Sequence, residues 1–258
     1  MNNNELMILK KEKKVPFLAQ LGLMMQWQIR RMTESLPLLI VLQIMLALAT
    51  VGGYGLLVGD TDRVSELYLA TGAATTSLIT IGLVLVPQLL SRSRMEGSLD
   101  WLKTLPVARE IFLISDLLIW SVIALPGLMI SLIAGSLRFD VAITPTLWLI
   151  PTMLLVSLTS ASVGYALTLI LAPTVAQLAS QILVFVILLF TPISFSAERM
   201  PEWAQFIHEW LPLESMADAM RFALLPENFN MTIRSWIVLV VWGIIAIIAA
   251  ELSLQRRD

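Results

Sequence analysis

Five stretches of this chain contain no Asp, Glu, Lys, Arg or His: residues 35–59, 67–91, 117–137, 141–197 and 235–250. A hydrocarbon core about 30 Å thick takes about 20 apolar helical residues to cross, and a helix leaves no backbone group unpaired in lipid. The 141–197 stretch is long enough for two crossings and the others for one each, so the pattern predicts six membrane spans. The wider composition agrees. With 57% hydrophobic and 14% charged residues and a mean hydropathy of +0.82, a water-soluble fold of this length would lack the polar surface to cover itself.

Charge and cysteine content narrow the function classes. A net charge of −2 excludes a basic nucleic-acid binder, and the lack of cysteine excludes disulfides, thiolate metal sites and thiol nucleophiles. His208 is the only histidine, so a His-based metal site within one chain is excluded and no metal ligands are assigned; its place between Ile207 and Glu209 reads as a polar tip at the membrane surface. No span carries a carboxylate pair or a nucleophile beside a base, so the chain is not read as an enzyme. Asp116, the one acid set near a span, is expected to pair with Arg109 or Lys103 or to meet water, with a proton relay as the sharper reading.

Orientation follows the basic residues. With both termini in the cytoplasm, 12 of the 17 Lys and Arg residues fall inside, leaving Arg63, Arg138, Arg199, Arg221 and Arg234 outside. The expected fold is an all-α polytopic membrane protein. Residues 1–34 form a cytoplasmic tail with an amphipathic interfacial helix, and residues 35–258 form the transmembrane domain, with spans at about 36–59, 67–90, 111–137, 145–171, 174–192 and 235–251. The first apolar run starts at Ser35, too late and too long for a signal peptide, so it is expected to stay in the mature protein.

Within this frame, residues 15–33 place Phe17, Leu18, Leu21, Met24, Met25, Ile29 and Met32 on one helical face, which suits a helix lying in the cytoplasmic interface; Leu23 and Trp27 sit off that face. Gly55 and Gly59 form a G-x-x-x-G pair that would admit a close helix neighbour. Pro126 is expected to kink the third span, and Pro173 divides the long uncharged run. Span two holds Thr71, Thr75, Thr76 and Ser77 among small residues, which reads either as helix packing or as the lining of a polar route. In span five, Gln177 and Gln181 lie one turn apart with Ser180 beside them, a face that lipid contact would penalise.

Two loops are too patterned to be linkers. Between spans two and three, Ser98 to Leu105 is expected to form a short helix with Leu99, Leu102 and Leu105 on one side and Pro106 as its stop, presenting Asp100, Trp101, Lys103 and Thr104 to the cytoplasm. Between spans five and six, Trp203, Phe206, Ile207, Trp210 and Leu211 follow helical spacing after Pro201 and Glu202, and Pro212 ends that helix. A second helix over about 213–225 sets Asp218 and Arg221 to pair at i, i+3.

In these loops the chain resembles the membrane subunits of type-2 ABC exporters, which move drugs, lipids or polysaccharide precursors outward. Their first cytoplasmic loop looks like Arg-x-x-Gly-Thr-Leu-Glu-x-Leu-x-x-x-Pro-Val-x-Arg, matched in order by Arg94, Gly97, Ser98, Leu99, Asp100, Leu102, Pro106, Val107 and Arg109. Their outer loop carries Asn-Pro-Leu, then Asp-Ala-x-Arg; here Leu211-Pro212-Leu213 and Asp218-Ala219-Met220-Arg221 stand, with the Asn replaced. The family's Lys near the start of span three is absent, and Asp116 lies in that neighbourhood, so that Lys role does not carry over.

The resemblance implies an ATPase-coupling segment over Glu96, Gly97, Ser98, Leu99, Asp100, Trp101, Leu102, Lys103, Thr104 and Pro106. It implies a substrate route between spans two and five, fitting Thr71, Thr75, Thr76, Gln177, Ser180 and Gln181, and an outer re-entrant loop around Trp203, Phe206, Trp210, Pro212, Asp218 and Arg221. Residues 97–104 approach a phosphate-binding loop, but Leu102 replaces its second glycine and the segment follows a span rather than a strand, so ATP and Mg are assigned to a separate ATPase subunit. The expected protein is a multi-pass permease of a plasma membrane, bacterial inner membrane in type, exporting an amphipathic substrate with a second permease copy, or a related permease, and membrane lipids as partners. The alternative is a membrane scaffold that transports nothing.

Overall fold

Residues 16–57, 62–99, 104 and 107–255 are described in the computed structural model of the chain. Among them the regular structure is helical, and six helical segments are long and apolar enough to cross a membrane. α1 (Phe17–Met32) precedes span one, α2 (Leu36–Leu57). Span two is continuous from α3 (Arg63–Thr80) through a π-helical turn (Ile81–Leu85) into α4 (Val86–Met95). Span three is α5 (Arg109–Ile123) followed by α6 (Leu125–Phe139), span four is α7 (Leu149–Ile170) and span five is α8 (Pro173–Phe190). A 3₁₀ turn (Ala197–Arg199), α9 (Glu202–Trp210) and α10 (Pro212–Leu224) lead to span six, α11 (Ile233–Gln255).

Side-chain size decides which helix takes the centre. Span two carries Ala70, Gly72, Ala73, Ala74 and hydroxyl residues that let neighbours approach, and its most apolar window is 100% buried by the rest of the chain. Span five is Leu-, Ile- and Phe-rich, and the same measure is 17%. Around span two, α6 packs on α3 and α2 on α6, while α7 lies along the π turn and α11 along α7. Hydroxyl pairs cross these contacts: Ser77 with Ser131 at 2.6 Å and Ser157 with Ser121 at 2.9 Å.

The closest crossing joins spans two and four. A Cβ on Gly164 would collide with the Gly82 carbonyl oxygen, and one on Gly82 with Ser160 and the Ala161 nitrogen, so the two backbones meet directly. Gly82 lies in the π turn just before Pro87. Proline cannot donate to the carbonyl four residues back and its ring crowds that oxygen, and a widened turn, closed by Val86 N–H to the Ile81 carbonyl, relieves both. The expected G-x-x-x-G neighbour is different. Gly55 faces the Arg138 side chain, whose Nη2 donates to the Gly55 carbonyl at 2.9 Å, and Gly59 lies outside the described residues.

Pro126 interrupts span three at Ala124, two residues before the proline. The repair comes from span one. Buried Gln43 donates from Nε2 to the Ile123 carbonyl at 2.6 Å, and its Oε1 accepts from Gly127 N–H at 3.1 Å. These are the two backbone groups that an unbroken helix would have bonded to each other.

Span four starts at Leu149 rather than 145. Residues 144–146 are extended because Thr144 and Thr146 N–H groups bond to the Leu224 and Ala223 carbonyls at the end of α10, at 3.1 and 2.9 Å. α1 lies on α5 with Met24 and Gln28 buried and Phe17, Leu18 and Ile29 exposed, so part of its apolar face points away from the protein.

Candidate functional site

The loop between spans two and three is held at both ends by arginines. Arg94, in the last turn of α4, donates from Nη1 to the carbonyls of Leu171, at 2.8 Å, and Thr168, both at the C-terminus of span four. Arg109, at the start of α5, donates to the Leu254 carbonyl at 3.0 Å, at the C-terminus of span six. A helix C-terminus leaves carbonyls unpaired and carries negative partial charge, so each guanidinium meets a matching end. The loop is thereby tied to the ends of spans four and six, a role for Arg94 and Arg109 that spacing along the chain does not reveal.

The start of the coupling segment has its own geometry. After α4, Gly97 takes φ +73°, the left-handed conformation that favours glycine at a helix C-terminus. Ser98 Oγ then donates to the Ser93 carbonyl at 3.1 Å and accepts from Arg31 Nη2 at 3.0 Å, which fastens the loop to α1. Leu99 is buried, Glu96 is exposed and pairs with Arg92 at 2.9 Å, and Thr104 is exposed. Asp100, Trp101, Leu102, Lys103 and Pro106 lie outside the described residues.

At the other end of the bundle, Arg221 is 3% exposed and organises α10. Its Nη1 donates to Asp218 Oδ1 at 2.8 Å, the expected i, i+3 pair, and its Nη2 donates to the Pro192 and Ile193 carbonyls at 2.8 and 2.6 Å. Those carbonyls follow span five, where Pro192 breaks the helix. The guanidinium also lies 4.4 Å from the Tyr68 ring centroid of span two, and Asp218 Oδ2 accepts from Ser235 of span six at 3.2 Å. One Asp-Arg pair thus ties spans two, five and six to α10.

α9 turns Trp203, Phe206, Ile207 and Trp210 outward, all exposed, and Ala204 and His208 inward. An apolar face turned away from the protein suits lipid contact. His208 is therefore not a polar tip. It is 8% exposed beside the Phe190 backbone, and burial holds its imidazole below the ordinary range.

Thr71, Thr75 and Thr76 are enclosed by the chain itself. Thr71 and Thr75 donate to the Leu67 and Thr71 carbonyls at 2.8 and 2.9 Å, and Ser77 bonds span three, which is helix packing. On span five, Ser180 is buried, Gln177 half-buried and Gln181 exposed.

Asp116 does not pair with Arg109. Arg109 serves Leu254, and Lys103 is outside the described residues. Instead Asp116 Oδ2 accepts from Trp120 Nε1 at 3.2 Å and from the Tyr165 hydroxyl of span four. It lies at the wall of an open cavity of about 510 Å³ lined by residues of α1, α4 and α5 and by Tyr165.

A six-span helical bundle with a clamped loop at one end and paired short helices at the other is the architecture of a multi-pass membrane protein. The chain belongs to the ABC-2 type transporter family, which it matches over residues 19–225, and is a membrane permease subunit of a type-2 ABC transporter. No curated protein matches it.

Proposed function

We propose that this permease exports an amphipathic substrate (a drug, a lipid or a lipid-linked glycan), driven by a separate ATPase that docks on residues 94–106 from the cytoplasm. The observation that carries this reading is the double arginine clamp: a push on the loop would reach spans four and six through hydrogen bonds at both of its ends. Permease families of this kind work with an ABC ATPase component, and Asp100 and Trp101 supply the charge and aromatic surface for it. The excess of Lys and Arg that the sequence carries in its two terminal segments and in the segment between spans two and three supports a cytoplasmic placement.

The exposed face of span five supports a second permease copy, or a related one, against it. Gln181 is exposed among Val175, Leu178, Ile182 and Phe185, and a bare amide in lipid costs several kcal/mol by the scales for unbonded polar groups. A partner or a water-filled route between protomers removes that cost, with Gln177 and Gln181 on its wall. Membrane lipids would meet α9 and the outward face of α1, and the host membrane would be a plasma membrane of bacterial inner type.

The test is reconstitution of the chain with its candidate ATPase in proteoliposomes. Asp100→Ala with Trp101→Ala should lower complex formation and ATP turnover together; unchanged turnover would refute the docking surface. A transport subunit should also show ATP turnover stimulated by substrate, whereas a scaffold would show none.

A further inference from the structure

The cavity under α1 has an unusual wall for the first turns of a membrane span. Asp116 lies seven residues into span three, about 10 Å along the helix from Arg109. Its two hydrogen bonds both end on Oδ2, and among the described residues no cation lies within ion-pair distance of it, although the Arg31 charge acts on it from farther off. Across the cavity, Gln28 of α1 is 4% exposed. Its Nε2 donates to Ser115 Oγ at 3.2 Å, while its Oε1 is buried with no partner. Asp116 and Gln28 thus both line the cavity, and the Gln28 Oε1 acceptor is unsatisfied.

The wall also carries the rings of Trp27, Phe112, Trp120 and Tyr165, and the charged side chains of Arg31, Glu34, Arg92 and Glu96. Carboxylate plus ring faces is the chemistry that holds an organic ammonium, through charge and the negative face of the rings. Arg31 lines the same cavity; its Nη2 bonds Ser98, its guanidinium sits 5.6 Å from the Trp27 ring centroid, and its charge reaches Asp116 without an ion pair. We propose that this cavity binds an organic ammonium group carried on an apolar body, with Asp116 as counter-ion, Gln28 Oε1 as acceptor and the rings as walls. The site lies within one protomer, apart from the exposed face of span five, and binding there requires neither ATP nor transport.

The ammonium has two possible sources, a zwitterionic phospholipid headgroup, whose phosphate would lie toward Arg31, and a free cationic amphipath. The probe is tritiated dodecyltrimethylammonium, bound to the purified full chain in nanodiscs of phosphatidylglycerol and read by scintillation proximity. The wild type should show one saturable site per chain. Asp116→Asn, which keeps an acceptor for Trp120 and Tyr165 but loses the charge, should bind about tenfold more weakly or worse, equivalent to about 1.4 kcal/mol. Gln28→Leu and Trp27→Leu should each weaken binding several-fold, and these two carry the test if the Asp116 variant does not fold.

Displacement by phosphatidylethanolamine supports the site with a lipid occupant, and displacement only by free lipophilic amines supports it with a soluble one. The absence of saturable binding, equal competition by dodecyl sulfate, or wild-type affinity in the folded variants would overturn the proposal.

Discussion

Gln43 illustrates how a single side chain makes a broken span tolerable in lipid. Pro126 separates the Ile123 carbonyl from Gly127 N–H, and one amide group from span one bonds both. Gln43→Leu keeps the size and removes both bonds, at about 1–3 kcal/mol for each orphaned backbone group. The expected outcome is a clear fall in thermal midpoint in detergent; a midpoint equal to wild type would show that the bridge contributes nothing.

The Arg221 cluster makes a second prediction through its neighbour Glu214. Burial first, and the Asp218 charge second, push the Glu214 carboxyl up to about 6, against the pull of Arg234 and Arg221, and its Oε2 is buried without a partner. A folded value above the ordinary 4.5 means that protonated Glu214 favours the folded state, fully below 4.5, and that this contribution is lost as pH rises through about 6. Glu214→Gln should flatten that stretch of the stability profile and leave the protein more stable than wild type at pH 7.5. Thermal unfolding over a pH series checks this, and an unchanged slope between pH 4.5 and pH 6 would contradict it.

At the scale of elements, the Gly82–Gly164 crossing sets how close spans two and four lie. Gly164→Val puts a branched side chain into the Gly82 backbone, so the account expects loss of folded, monodisperse protein on size exclusion. Gly22, on α1, has nothing within 4 Å of an added Cβ, so Gly22→Ala should be neutral or stabilising by up to about 1 kcal/mol. Equal behaviour of the two variants would contradict this packing.

The spans themselves were legible because uncharged length and hydropathy are local properties. Their ends were not, since long-range bonds decide them: Thr144 and Thr146 bond to α10 and delay span four. Gly55 and Gly59 show the same limit, because a spacing cannot say which helix answers it. The Asp218–Arg221 pair was legible from i, i+3 spacing, but its ties to Tyr68, Pro192 and Ile193 were not. Asp116 stood out as an acid near a span, whereas its partner Tyr165 lies in another helix and was invisible along the chain.

For the whole molecule, the two ends of the bundle have opposite characters. One carries the loop clamped by Arg94 and Arg109 and the cavity of Asp116; the other carries α9, α10 and the Arg221 cluster. The proposed mechanism requires the first end to face the cytosol, where an ATPase and ATP are available. A chain without cysteine allows a clean measurement: Trp101→Cys and Glu198→Cys, made singly and treated with a membrane-impermeant maleimide in intact cells and in inverted vesicles. The account predicts that residue 101 is labelled only in inverted vesicles and residue 198 only in intact cells; labelling of residue 101 from outside intact cells would contradict it.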